Sequence, residues 1–158
     1  MYSRTGTVGS IQFGNGADRP LPGDYDGDGR ADIAVFRPST GFWHILNSST
    51  GAMASVQWGN GNDVAVPGDY DGDRRTDAAV FRPSTGTWHI LNSSTGGVTS
   101  VQWGNGADRP VPGDYNGDGK TDIAVFRPSA GTWYVHSGGG GAIVQWGNGN
   151  DTPILKRP

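Results

Sequence analysis

A nine-residue acidic segment of pattern D-x-[D/N]-x-D-x-x-x-D occurs three times, at residues 24–32, 69–77 and 114–122, with a constant spacing of 45 residues. The spacing belongs to a larger tandem repeat. Residues 14–58 and 59–103 are identical at 34 of 45 positions, too close a match for chance recurrence of a short motif. The third unit, 104–146, is two residues shorter, and the loss falls near the glycine run 138–141. Residues 1–13 match the end of a unit and 147–158 match the start of one. A period in the forties is the length of one propeller blade or of one helical pair in a HEAT-type array.

Composition separates these two architectures. With 28 glycines and 10 prolines, the chain is poorly suited to stacked helices, whose interiors both residues weaken. The strict period and six tryptophans argue for a packed fold rather than a disordered low-complexity chain. Each unit reads as four short strands separated by turn residues. In the second unit these are 65–67, 77–81, 87–91 and 98–103, the second apolar on both alternating faces and so expected to be covered on both sides. The expectation is an all-β fold: a β-propeller of four-stranded blades of about 45 residues each, with three whole blades and partial terminal ones. The fragments 1–13 and 147–158 are expected to supply a fourth strand (10–13) and a first strand (152–155). Propellers have about four to eight blades. Three units therefore leave three options: a small four-bladed ring, a two-chain ring with hybrid blades, or a piece of a longer array. Of these, a homo-oligomer completing the ring is the expectation.

The acidic segment has the spacing of a calcium loop. Calcium takes about six to eight oxygens, and short carboxylates at alternate positions can wrap around it. In the first copy Asp24, Asp26, Asp28 and Asp32 offer side-chain oxygen and Arg30 a backbone carbonyl, while Gly29 permits a sharp turn. Without a cation, converging carboxylates repel one another. The second copy carries Arg74 where the others have Gly29 and Gly119, and the third carries Asn116 in place of Asp26. A side chain at positive φ costs about 1–2 kcal/mol, so the second site is expected to be the weakest of three. The motif is not an EF-hand, since no glutamate follows at position twelve and the flanks read as strands.

The run P-G-D-Y-D-G-D-G-R-A-D-I-A-V at residues 22–35 resembles the FG-GAP/VCBS repeat, which forms blades of the integrin α-subunit propeller and of several bacterial and fungal lectins. The resemblance covers nearly the whole chain and implies a structural calcium in each loop, up to three per chain. Its metal ligands fall on Asp24, Asp26, Asp28, Arg30 and Asp32. In the second loop they fall on Asp69, Asp71, Asp73, Arg75 and Asp77, and in the third on Asp114, Asn116, Asp118, Lys120 and Asp122.

The resemblance leaves the ligand open. Trp43, Trp88 and Trp133 recur, as do Trp58, Trp103 and Trp146 with Phe13 as their N-terminal counterpart; they could stack on sugars or pack between blades. Arg37, Arg82 and Arg127 each precede a proline and either brace that turn or touch a ligand. Asp18, Asp63, Asp108 and Asp151 lie in G-N-G-x-D segments between units, where the lectins of the family tend to bind sugar and where turn formation is the alternative. His44 and His89 match Tyr134 in the third unit, which argues against a catalytic or zinc role. With no cysteine, no glutamate and no nucleophile–base set, the chain is not expected to be an enzyme. A net charge of −3 gives no basic surface for nucleic acid, and no apolar run reaches membrane-spanning length. The expected function is carbohydrate recognition at repeated sites, with glycans or cell-surface proteins as partners and a secreted or extracellular location, although no signal peptide is present. The alternative is a structural or protein-adhesive propeller module, natural or engineered, with no ligand beyond calcium.

Overall fold

Each repeat folds into one antiparallel sheet because its apolar residues alternate within short segments bounded by glycine-rich turns. The computed structural model describes residues 9–138, 142–148 and 150–153. The first sheet runs β1 (Arg19–Pro20), β2 (Ile33–Arg37), β3 (Phe42–Leu46), β4 (Met53–Gln57), the strands neighbouring one another in chain order. The second comprises β5 (Val64–Ala65), β6 (Ala78–Arg82), β7 (Thr87–Leu91) and β8 (Val98–Gln102). The third comprises β9 (Arg109–Pro110), β10 (Ile123–Arg127), β11 (Thr132–His136) and β12 (Ala142–Gln145). Among the described residues the helical content is a single 3-10 turn, Pro128–Ala130. These are three four-stranded propeller-type blades.

The strands follow the sequence reading within one or two residues, with two differences. The first strand of each blade is only two residues long, so in the second blade Val66 lies just beyond it, although its N–H still donates to Ala79 O at 2.8 Å. Residues 9–13, expected as a fourth strand, form none. No third strand stands beside them among the described residues, and a lone strand has nowhere to place its ladder hydrogen bonds. The described part of the expected C-terminal strand, Thr152 and Pro153, is likewise not a strand, and the remainder lies outside the described residues.

The sheets are held together in series. In every blade a phenylalanine on the second strand faces a tryptophan on the third, Phe36 with Trp43, Phe81 with Trp88 and Phe126 with Trp133, with ring centroids 5.5 Å apart each time. Such cross-strand aromatic pairs are strong contributors to sheet stability. One apolar cluster joins Tyr25, Phe36, Trp43 and Ile45 of the first blade to Ala78 and Val80 of the second. The next joins Val66, Phe81, Trp88 and Ile90 to Ile123 and Val125 of the third blade. The third cluster, Val111, Ala124, Phe126 and Val135, meets no following blade among the described residues. The second strands β6 and β10 are thus covered on both faces, as their uninterrupted apolar runs require. The fourth strands are outer edges and mostly exposed.

The tryptophans divide between two tasks. Trp43 and Trp88 are fully buried and donate Nε1–H to the carbonyls of Trp58 (2.9 Å) and Trp103 (3.0 Å). Trp58 and Trp103 reach across to the next blade, donating to His89 O and Tyr134 O, both at 3.0 Å. Trp146, at the same position in the last blade, is 76% exposed.

Candidate metal centre

Each acidic loop connects the first two strands of its blade, opening at a glycine and closing at an aspartate that bridge each other: Gly23 with Asp32, Gly68 with Asp77, Gly113 with Asp122. The loop is shaped by its own carboxylates. In the first copy Asp24 accepts the N–H of Gly27 (2.7 Å), Asp28 (3.1 Å) and Gly29 (2.8 Å). Asp26 Oδ1 accepts the Asp28 N–H at 3.1 Å, and Asp28 Oδ1 the Arg30 N–H at 2.8 Å. These contacts wind the backbone inward and leave the alternating side chains on one side.

The closing aspartate plays a different part. Asp32 is 1% exposed; its Oδ2 takes the N–H of Tyr25 (2.8 Å) and Asp26 (3.1 Å), and its Oδ1 takes the N–H of Ser48 at 2.7 Å. Asp77 repeats this with Tyr70 and Ser93, at 2.8 and 2.7 Å. A carboxylate burying itself against two or three N–H groups is well stabilised as an acceptor. These residues therefore fix the loop to the turn between the third and fourth strands.

That turn contributes residues the sequence reading treated only as turn formers. Ser49 Oγ donates to Asp26 Oδ2 at 2.6 Å and Ser48 Oγ to Asp28 Oδ2 at 2.9 Å. In the second blade Ser94 Oγ donates to Asp71 at 2.6 Å, and Ser93 Oγ lies 3.0 Å from Asp73 Oδ2. The available signal was the identical N-S-S-T-G segment at a fixed offset from both loops. In the third unit the corresponding segment is the shortened one.

The structure brings together the carboxylates of Asp24, Asp26 and Asp28 in the first loop and of Asp69, Asp71 and Asp77 in the second. In each group one oxygen per residue lies within 4.8 Å of the others. That spacing fits a hard cation bound by oxygen; Asp32 and Asp73 fall outside these groups. The third loop gathers no such trio of carboxylates. Asn116 stands where the others have aspartate, and its amide binds Asp118 instead, Nδ2 donating to Oδ2 at 3.1 Å.

Arg74 sits at φ 70°, the one non-glycine residue at positive φ among the described residues, while Gly29 and Gly119 take 81° and 86° at the same place. The second loop therefore adopts the common geometry in spite of its side chain. By carboxylate convergence it is the third loop, not the second, that departs from the set. Arg30, Arg75 and Lys120 meet their own loops through the backbone, their N–H groups donating to Asp28, Asp73 and Asp118 at 2.8 Å each.

Electrostatics follow the same division. Hydrogen bonding by the Ser49 hydroxyl holds Asp26 below the usual carboxylate range. Burial pushes Asp71 upward, but the hydrogen bonds from Ser94 and the Asp73 N–H, together with the Lys120 charge, outweigh it and the group ends below its ordinary value. Asp114 is held low by the N–H groups of Gly117 and Gly119. Asp77 is raised, because burial dominates there.

Most of the remaining sequence candidates are engaged within the fold. Asp18, Asp63 and Asp108 each accept two hydrogen bonds from one arginine, Arg37, Arg82 and Arg127, with contacts of 2.9–3.0 Å. The Asp63 and Asp108 side chains are fully buried beneath guanidinium groups about one-third exposed. The arginines thus brace their turns, and three of the four G-N-G-x-D carboxylates are used internally. His44 and His89 pair with Ser55 and Ser100 on the neighbouring strand. A cavity of about 350 Å³ lies beside Phe126, Trp133, Trp146 and Asp151, and another of about 640 Å³ lies between the second and third loops. Among the described residues no helix is long and apolar enough to cross a membrane.

Sequence comparison agrees with this architecture. The FG-GAP repeat matches residues 19–52 and 108–144, and the FG-GAP-like repeat matches residues 69–125. The chain belongs to the FG-GAP repeat family. No curated protein and no solved structure matches it.

Proposed function

We propose that the chain is a calcium-braced propeller module that works by binding, not by catalysis. The observation that carries this reading is the convergence of three carboxylates in each of the first two loops. Asp24, Asp26 and Asp28, with the Arg30 carbonyl and Asp32, would hold the ion of the first loop. Asp69, Asp71, Asp73 and Asp77 with the Arg75 carbonyl would hold that of the second. The third, Asp114, Asn116, Asp118, Lys120 and Asp122, would be the weakest. The ion neutralises carboxylates that otherwise repel and ties the loop between the first two strands. FG-GAP repeats are typical of extracellular proteins, which favours a secreted or extracellular setting.

Burial of Trp43 and Trp88, and the use of Trp58 and Trp103 between blades, favour the scaffold or protein-adhesive reading over a lectin with one aromatic cleft per repeat. One observation supports carbohydrate recognition: the cavity of about 350 Å³ lined by Phe126, Trp133, exposed Trp146 and Asp151. A homo-oligomer formed through the outer face of the third blade would close over that cavity, so the two occupants compete.

Thermal melting in calcium and in excess EDTA tests the first reading. Ion at a hundredfold its Kd stabilises by about 2.7 kcal/mol per site, and each kcal/mol moves the melting temperature of a chain this size by about 2–4 °C. Two loaded loops therefore predict a fall of about 10 °C or more in EDTA, and an unchanged melting temperature would refute the calcium reading. A glycan array with light scattering on the same protein decides between a sugar-binding monomer and an oligomer.

A further inference from the structure

Consecutive acidic loops touch at both interfaces, through the same threonine contact and through a basic side chain at the same position. The Thr76 N–H of the second loop donates to Asp24 O of the first at 2.6 Å, and the Thr121 N–H of the third donates to Asp69 O of the second, also at 2.6 Å. Arg75 Nε and Nη2 donate to Tyr25 O at 3.1 and 2.8 Å. Lys120 Nζ donates to Asp71 O at 3.0 Å. The cationic stems lie so close over the earlier loop that a Cβ on Gly27 would stand 3.0 Å from Arg75 Cγ, and one on Gly72 would stand 2.6 Å from Lys120 Cε. Gly23 and Gly68 meet Thr76 and Thr121 equally closely.

Arg75 and Lys120 are at the same time parts of their own loops. The Arg75 N–H donates to Asp73 Oδ1 and the Lys120 N–H to Asp118 Oδ1, both at 2.8 Å. Any ligand that fixes the backbone of the second loop therefore fixes residues 75 and 76. Those residues hold the carbonyls of Asp24 and Tyr25 at the opening of the first loop. The guanidinium and the ammonium also place positive charge beside Asp26 and Asp71 without entering either carboxylate group.

We propose that Arg75 and Lys120 are positioning residues that couple ion binding between successive loops, so that loading one loop tightens the loop of the blade before it. The proposal rests on the calcium reading above. Because coupling between equilibrium sites is reciprocal, loading the earlier loop tightens the later one by the same factor. The series runs from the third loop to the second and from the second to the first.

The test is a calcium titration of the full chain followed residue by residue in ¹H–¹⁵N spectra, using the amides of Gly29, Arg74 and Gly119 as reporters of the three loops. Asp73→Asn weakens the second loop's proposed ligand set and alters no residue of the first. It should raise the calcium midpoint at Gly29 about fivefold, the lower end of usual coupling between sites. In an Arg75→Met background the same substitution should move that midpoint less than twofold. Asp118→Asn read at Arg74, with and without Lys120→Met, repeats the test one interface along and stands in if Arg75→Met does not fold. An unmoved Gly29 midpoint in Asp73→Asn overturns the coupling while leaving calcium binding intact. A shift that persists at full size in Arg75→Met overturns the role of Arg75. If no reporter responds to calcium in the unaltered chain, the calcium reading itself fails.

Discussion

The first and third acidic loops differ less in sequence than in what surrounds them. Both have glycine at the sixth position, and both coil around their opening aspartate through the same N–H contacts. Yet Tyr25 is 8% exposed and Tyr115 45%. The first loop is covered by Arg75 and Thr76 of the following blade and laced by Ser48 and Ser49 of its own outer turn. The third has no following blade among the described residues, and its turn is two residues shorter. A loop that looks self-sufficient in sequence thus draws a good part of its order from two other segments.

The largest effect that would sharpen this contrast is removal of the closing aspartate. Asp77→Ala strips an acceptor from the half-buried Tyr70 and Ser93 N–H groups, at about 1.5–3 kcal/mol per charged hydrogen bond. Asp77→Ala should cost about 3 kcal/mol or more in urea unfolding, and Asp122→Ala roughly half that. Equal losses would mean that the covered loop is no better braced than the open one. Arg74→Gly comes next. It relieves a side chain at φ 70° and should stabilise the chain by about 1 kcal/mol, while Gly119→Arg should cost a similar amount; both are read from denaturation midpoints.

Asn116→Asp should have little effect on stability in EDTA but should lower the calcium midpoint at Gly119 several-fold, making the third loop resemble the first. Acid titration is the mildest probe. Asp18, held low chiefly by its hydrogen bonds to Arg37, and Asp26, held low by Ser49, contribute stability that is complete above the ordinary value of 3.8. It is lost as pH falls through their depressed folded values. Asp77 acts with the opposite sign: in EDTA its contribution weakens as pH rises from 3.8 through its raised folded value. Melting temperature followed in EDTA from pH 6 to pH 3 should therefore show a smaller gain on mild acidification in Asp77→Asn than in the unaltered chain.

Much of this was legible in the sequence because it is local. Strand and turn periodicity within one unit located twelve strands, and alternating aspartates located three loops. Arg74 was marked by the absence of a glycine its neighbours possess, and the structure places it at positive φ. What the sequence hid is contact across units. Nothing in R-R-T-D or G-K-T-D says that the basic stem lies over the previous loop, since hydrogen bonds to carbonyl oxygen leave no residue signature at the acceptor. The serines of N-S-S-T-G read as turn formers because hydroxyls suit turns wherever they occur. Asp63 looked available to a ligand for a similar reason: its arginine partner is 19 residues away, on a strand that only folding brings beside it.

The contact from Arg75 to Tyr25 spans 50 residues, always with the later residue reaching back. A ribosome releases a chain from its N-terminus at about 5–20 residues per second. The first loop must therefore wait several seconds after its own emergence for the side chain that covers it. During translation each of the first two blades is provisional until its successor arrives, and a pause within the next repeat leaves exposed the loop made a full repeat earlier.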